Sequence, residues 1–328
     1  MAGSTVTGSE TARALWLEAP RHAALRHEQV HLAAGEVLAE TRFSAISRGT
    51  ERLVFEGRVP PSEHARMRAP LQAGDFAFPV KYGYSAVGRI IAGPPERLGE
   101  TVFALAPHQS HFACPSAMAH PLPAGLPAAR AVLGANMETA LNVVWDSGAG
   151  PGDRVAVIGA GVVGALAAAL CARLPGAEVT LVDINPARAG LAAALGCGFA
   201  APEAAPGGAD VVIHASASAA GLATALAAAG PEAVVVEASW YGDAAVPAPL
   251  GAAFHSQRLR LVSSQVGRLP PARAPRWSHA RRMAKALELL RDPAFDALIS
   301  GETPLADLPA AYGAILADGG TLCHRIRY

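Results

Sequence analysis

Between Arg154 and Gly164 the chain reads RVAVIGAGVVG, and 19 residues after Gly164 the segment EVTLVD ends on Asp183. No other feature constrains the fold as much. Val155 to Ile158 form a short apolar run of the kind a buried parallel strand uses, and the Ala-rich stretch from Gly161 to Arg173 predicts a helix directly after it. In such a turn Gly159 allows the tight bend, Gly161 lets the backbone approach a pyrophosphate, and Gly164 lets helix and strand pack closely. The first helical amides, at Val162 and Val163, are then offered to the phosphates. A lone G-x-G-x-x-G is weak, because glycine-rich strand-to-helix loops are common. Strand before, helix after and an acid ending the next strand together predict a dinucleotide site. Asp183 is followed by Ile184 and Asn185, with no cation beside it, so its carboxylate can accept from a ribose 2′-hydroxyl and would repel a 2′-phosphate. NAD is favoured over NADP, although Arg188 could fold back onto a phosphate or the adenine.

At 328 residues the chain is long enough for two domains with proper cores. The 27 basic and 27 acidic residues balance and form no long runs, so no electrostatic footprint for nucleic acid or an anionic membrane is present. A small-molecule substrate is the better expectation. No apolar segment is long enough to span a bilayer, and MAGSTVTGSE lacks the basic start and apolar core of a secretory signal. A soluble, cytoplasmic protein is expected. The four cysteines, Cys114, Cys171, Cys197 and Cys323, show no C-x-x-C spacing, which predicts buried reduced thiols and neither a disulfide framework nor a zinc knuckle.

The first 122 residues carry short strand-like pieces punctuated by Gly and Pro: Arg13 to Glu18, Glu36 to Ser44, Gly88 to Ala92, Glu100 to Ala106 and Ser110 to Pro115. They predict a small, mostly β domain over 1–122. Ala128 to Trp145 reads as helical. Strands are then expected at Val155 to Ile158, Glu178 to Asp183, Asp210 to His214, Ala233 to Glu237 and Leu259 to Ser264. Helices at Pro186 to Leu195 and Ala219 to Ala229 fall between them, and another is expected from Arg273 to Arg291. This α/β alternation predicts a doubly wound parallel sheet over 123–291. A strand, a helix and a final strand over 292–328 could return to the first domain.

On AISRGTERL, VKYGYSAVGRI, GDRVAVIGAGVVGALAAAL, VTLVDINPARAGLAAALG and LISGETPLADLPAAY, the chain resembles the medium-chain dehydrogenase/reductase superfamily, the zinc alcohol dehydrogenases and their zinc-free relatives. The resemblance implies a GroES-like β-barrel catalytic domain and a Rossmann NAD-binding domain, with the active site in the cleft between them, and pairing into a homodimer. Zinc members carry a cysteine in C-G-[ST]-[DE], a Gly-His-Glu triplet and a third ligand before the Rossmann strand. Here those positions read Arg48-Gly49-Thr50-Glu51, Gly83-Tyr84-Ser85 and Ala135-Asn136, none of them ligating at the expected place. The four-cysteine structural-zinc lobe is also absent between Pro94 and Cys114. No zinc is therefore expected; a set from Glu51, His108 and Glu138 has no supporting spacing. Within the superfamily, SRGTE, GRVPP and GYSAVG are most similar to the bacteriochlorophyllide hydroxyethyl dehydrogenase branch.

Without zinc, organic groups must hold the developing alkoxide and move its proton. By the resemblance, Arg48, Lys81, Tyr82 and Tyr84 would line the cleft, with Tyr84 at the vacated histidine position. It is the leading donor or, equally, a tyrosine filling the vacated cavity. Thr50 would be a proton relay or a turn hydroxyl, and Glu51 would hold Arg48 in place through a salt bridge or act as a base. Thr139 would face the nicotinamide, with Glu138 a solvated helix acid. Ala215, Ser239 and Trp240 follow strands at the carboxyl edge of the sheet, and Ser264 would help hold the carboxamide. His108 and His255 could titrate near neutrality, but a lone histidine is more often structural. The expected activity is hydride exchange between NAD(H) and a secondary alcohol or ketone. An enone or quinone reductase and a non-catalytic NAD(H)-binding sensor stand as alternatives. An FAD site is disfavoured because such motifs usually open their chain.

Overall fold

A computed structural model describes residues 8–328, which divide into two compact units. Only Gly8, Ser9 and Glu10 of the segment read for a secretory signal fall within the described residues. The first unit comprises residues up to Ala135 together with Met283–Arg291 and Ile299–Tyr328; the second comprises Asn136–Arg282 and Asp292–Leu298.

In chain order the first unit contains β1 (Ser9–Ala19), β2 (His22–His31), β3 (Glu36–Ile46), α1 (Arg48–Phe55), β4 (Ala73–Gly74), β5 (Val80–Lys81), β6 (Ala86–Ala92), β7 (Thr101–Ala104), β8 (His111–Pro115), β9 (His120–Pro121) and α2 (Ala128–Ala131). Helix α3 (Gly134–Ser147) leads into the second unit. There follow β10 (Arg154–Ile158), α4 (Val162–Cys171), β11 (Glu178–Val182), α5 (Arg188–Ala194), β12 (Gly198–Ala200), β13 (Ala209–His214), α6 (Ala219–Ala228), β14 (Ala229–Glu237), α7 (Ala253–Ser256) and β15 (Arg260–Ser263), and then α8 (His279–Leu289), whose residues from Met283 belong to the first unit. The chain then re-enters the first unit as β16 (Ile299–Pro304), α9 (Leu308–Ala317) and β17 (Cys323–Arg327).

The first unit has a four-stranded sheet in the order β2-β1-β5-β4 and a seven-stranded sheet in the order β16-β17-β3-β6-β7-β9, with β8 paired to β3. Val37, Ala39, Ile90, Val102, Phe112 and Cys114 alternate inward to make one apolar core. Strand β2, HAALRHEQVH, was not expected from the sequence. Among the described residues it pairs with β1 alone, and it lies half exposed, so it carries no apolar alternation.

The second unit is a parallel sheet in the order β12-β11-β10-β13-β14-β15, the doubly wound Rossmann arrangement. Its central strands are buried on both faces. Ile158, Val182, Val212 and Val235 pack with Leu222 and Leu226 of α6. The strand order reverses between β10 and β13, which opens a crevice at their carboxyl ends. Two helices are shorter than the sequence suggested. The helix expected from Arg273 starts at His279, because Pro275 has no amide to donate and Ser278 instead caps the start by accepting from the Arg281 amide at 3.1 Å. The helix expected from Ala128 breaks into α2 and α3. At the break Gly134 lies so close to the Phe103 ring that a Cβ would sit 2.8 Å from it.

All four cysteines are buried and unpaired. Burial pushes the thiols of Cys114, Cys171 and Cys323 up to about 12 and that of Cys197 to about 11.

Candidate functional site

The glycine-rich turn of the second unit sits at the reversal point of its sheet, and its three glycines have three different local reasons. Gly159 has φ of +106°, and a Cβ there would lie 2.7 Å from the Ser216 amide nitrogen. At Gly164 a Cβ would fall 1.9 Å from the Gly159 carbonyl oxygen. The fold itself demands these two glycines. Gly161 differs: its backbone is extended, and nothing lies within 4 Å of an added Cβ. Its bareness serves no packing inside the unit and leaves a clear approach to the start of α4, which has no side-chain cap. The amides of Val162 and Val163 there have no intrahelical acceptor, so the helix start suits an anionic group.

Asp183 closes one side of this space. Its Oδ2 accepts from the Ala160 amide at 2.7 Å and its Oδ1 from the Asn185 amide at 2.8 Å, which fixes the carboxylate beside the turn. Ile184 projects next to it with 87% of its surface exposed, unusual for so large an apolar side chain. Arg188, half-buried, begins α5.

Along the carboxyl edge, Ala215 donates its amide to the Ile158 carbonyl at 2.8 Å, tying the end of β13 to the end of β10. Ser239 Oγ accepts from the Ala217 amide at 3.0 Å, and Trp240 is half-buried beside it in sequence. Ser264 Oγ donates to Asp146 at 2.6 Å and lies 3.3 Å from Asn142 Nδ2. Burial raises the Asp146 carboxyl against the opposing pull of Ser264 and Arg282. Thr139 is half-buried on α3. Glu138 is buried against Arg282, 3.0 Å from its Nε, and desolvation holds its carboxyl above the usual range despite that cation. Arg282 also reaches Asn142 and, at 2.6 Å, the carbonyl of Val266, so it ties α3 and α8 to the segment after β15.

The first unit contains a second polar centre, around Glu51 on α1. This carboxylate is fully buried. It accepts from the Ser47 amide at 2.7 Å and the Tyr312 hydroxyl at 2.6 Å, and lies 2.9 Å from His108 Nε2. His108 Nδ1 lies 2.8 Å from Ser44 Oγ, which in turn lies 2.8 Å from the Tyr328 hydroxyl. Tyr84 borders the same cluster. Burial first and the Glu51 charge second push its hydroxyl up to about 12, against opposing hydrogen bonds with Ser47 and Thr50. Burial and then the Glu51 charge hold Tyr312 well above its ordinary value, and burial and then Tyr84, with Glu51 third, do the same for Tyr82.

Tyr84, Thr50 and Glu51 are therefore brought together. Arg48, at the start of α1, reaches the Leu316 carbonyl at 3.4 Å. Lys81 is committed elsewhere: its Nζ lies 2.7 Å from both Glu28 and Gln109. His255 sits on the short helix α7. Sequence reasoning missed Tyr312, Tyr328 and the partnership of His108 with Glu51, because these residues meet only through the sheet and α9. It also missed His214, Ser216 and Glu237 at the strand ends, although His214-Ala215-Ser216 directly follows a predicted strand.

A family model described as the NAD binding domain of 3-hydroxyacyl-CoA dehydrogenase matches residues 154–239. No curated protein matches the chain. Among solved structures, L-idonate 5-dehydrogenase of Escherichia coli K-12 is similar with a TM-score of 0.79 and 15% identity, over 98% of this chain and 99% of that one. A short chain alcohol dehydrogenase of Escherichia coli CFT073, complexed with NADH, gives 0.77 and 16% over 97% and 99%. A zinc-binding dehydrogenase candidate of Sinorhizobium meliloti 1021, bound to NADP, gives 0.77 and 18% over 97% and 100%. The chain thus has the fold of these dehydrogenases, with a GroES-like unit and a Rossmann unit.

Proposed function

We propose that this protein is an NAD(H)-dependent oxidoreductase that exchanges hydride between nicotinamide and a secondary alcohol or ketone, without zinc. The observation that carries the reading is the clear space at Gly161, between an uncapped helix start and an oriented Asp183. A diphosphate would be held by the amides of Val162 and Val163, and a ribose by Asp183, with Ile184 offering an apolar face to a base. Asp183 supports NAD over NADP. Solved structures of this fold hold either NADH or NADP, so the preference rests on Asp183 itself.

The residues present do not fit zinc. Arg48 and Tyr84 stand where the resemblance puts a cysteine and a histidine, and among the described residues no three of His, Cys, Asp and Glu converge to hold a metal. Glu51 and His108 are neighbours, but Tyr312 and the Ser47 amide take the other positions around that carboxylate. Glu138 is bound to Arg282.

A bound nicotinamide would supply hydride exchange at its ring. Tyr84 keeps its proton at neutral pH and donates it to a substrate oxygen as negative charge develops there. Ser47 and Thr50 orient that hydroxyl. The Glu51, His108, Ser44 and Tyr328 chain gives the cluster a buried set of groups able to redistribute a proton.

Titration calorimetry with NADH and NADPH tests binding, with tighter NADH expected; no heat with either would overturn the reading. A panel of ketones followed by NADH absorbance tests turnover. Reduction at C=C would identify an enone reductase, and binding without any turnover a sensor. Metal analysis that finds stoichiometric zinc, lost together with activity, would refute the metal-free part. The homodimer is also part of the proposal, and light scattering at the monomer mass would remove it.

A further inference from the structure

The ends of β13 and β14 carry a cluster that the proposed hydride chemistry does not use. His214 is fully buried. Its Nδ1 lies 2.7 Å from Glu237 Oε2, and its Nε2 lies 2.6 Å from Ser216 Oγ. The carboxylate is itself oriented: Oε1 accepts from the Ser239 amide at 2.8 Å and Oε2 from the Tyr241 hydroxyl at 3.0 Å. Burial would raise the Glu237 carboxyl, but the hydrogen bond and charge of His214 and the bonds from Ser239 outweigh it and hold it below the usual range. An ionised carboxylate, an imidazole and a hydroxyl thus stand in sequence at hydrogen-bond distance.

Two further observations show that the backbone is shaped around this hydroxyl. Ser216 lies on the tight connection from β13 to α6, and the next residue, Ala217, has φ of +51°, a region an alanine rarely adopts. Position 221, in the first turn of α6, is glycine. A methyl there would lie 2.0 Å from Ser216 Oγ and 2.7 Å from His214 Nε2. Any larger residue at 221 would displace the serine from the imidazole.

We propose that Ser216 is an activated nucleophile, with His214 as its general base and Glu237 as the carboxylate that orients the imidazole, and that this cluster hydrolyses small uncharged carboxylic esters. Ser216 Oγ attacks the ester carbonyl carbon as its proton passes to His214 Nε2. The bond to the leaving oxygen breaks, and the imidazolium returns that proton to release the alcohol. Water, deprotonated by the same imidazole, then cleaves the acyl-serine to give the carboxylic acid and the free hydroxyl. No electrons are transferred. The amides of Ala219 and Ala220, in the first turn of α6, have no intrahelical acceptor, and in the proposed reaction they would be the donors to the developing oxyanion. Its sequence neighbours Ala215, Ala217 and Ser218 carry short neutral side chains, and Ser218 Oγ lies 2.9 Å from Ser216 Oγ, so the proposed substrate is a small uncharged acyl group.

The test uses the full chain without nucleotide, so its outcome is independent of the dinucleotide reading. A fluorophosphonate probe followed by peptide mass spectrometry should label Ser216, and p-nitrophenyl acetate should be hydrolysed with saturation. Ser216→Ala, which removes one oxygen, should lower kcat/KM about 100-fold or more, and His214→Gln should do likewise. Hydrolysis unchanged in Ser216→Ala, or a probe attached only to other residues, would overturn the proposal.

Discussion

The glycine turn with Asp183 and the Glu51 cluster are built in opposite ways. In the second unit, the glycine turn and Asp183 lie within 25 residues of sequence, and hydrogen bonds to backbone amides fix nearly every group. In the first, Ser44, Glu51, His108, Tyr312 and Tyr328 come from across the chain, and their side chains bind one another. A site made of backbone tolerates side-chain change and fails when a Cβ intrudes. A site made of buried side chains fails when one partner is removed and the others are left unsatisfied.

The largest effect expected from this contrast is at Gly164. Gly164→Ala puts a methyl into the Gly159 carbonyl and should destabilise the second unit by about 3 kcal/mol or more, read as a drop in Tm or as loss of soluble protein. Glu51→Ala comes next. It removes the partner of His108, Tyr312 and the Ser47 amide, and should cost about 3 kcal/mol in denaturant unfolding, with Glu51→Gln losing less. Gly161→Ala sharpens the comparison most. With open space around it, the substitution should leave Tm unchanged yet weaken NADH binding by roughly tenfold or more, about 1.4 kcal/mol, in calorimetry. A fall in Tm with unchanged affinity would show that Gly161 serves the fold and not a ligand.

Tyr84→Phe keeps the ring and removes the donor. It should lower kcat roughly 100-fold with little change in Tm, whereas a purely space-filling tyrosine would leave kcat intact. The smallest effect is in pH dependence. Glu237 titrates below its unfolded value, so its contribution to stability is present above the ordinary glutamate range and is lost as pH falls through the lower, folded value. Glu138 titrates above its unfolded value, so its contribution is present at low pH and is lost as pH rises through the higher one. Against the wild type, Glu237→Gln and Glu138→Gln should therefore change the acid limb of stability in opposite directions, measured by denaturant unfolding between pH 3 and 7.

What the sequence could reveal follows from the same contrast. The nucleotide turn was legible because spacing along one strand, one turn and one helix determines where its groups go. The parallel sheet was legible because its strands are continuous apolar runs. The tyrosine and glutamate cluster was only half legible: Thr50, Glu51 and Tyr84 stood out by family resemblance, while Tyr312 and Tyr328 looked like ordinary residues of a C-terminal helix and strand. Lys81 shows the reverse. Its position in VKYGY suggested a cleft-lining cation, yet strand pairing directs its amine to Glu28 and Gln109, and no local pattern encodes that partnership. The start of α8 is set by Pro275 and Ser278, a boundary signal that the amphipathic run after it masks in the sequence.

Strand β17 has a consequence for how the chain is made. It lies between β16 and β3 in the interior of the larger sheet, so a nascent chain leaves the ribosome with the Phe43–Ile46 end of β3 unpaired on that side until residues 323–327 emerge, β8 covering only Glu36–Glu40. The parallel sheet, finished at residue 263, can close first. During synthesis the earliest strands thus wait longest for their neighbour, and an arrested or truncated product would expose an open edge prone to association.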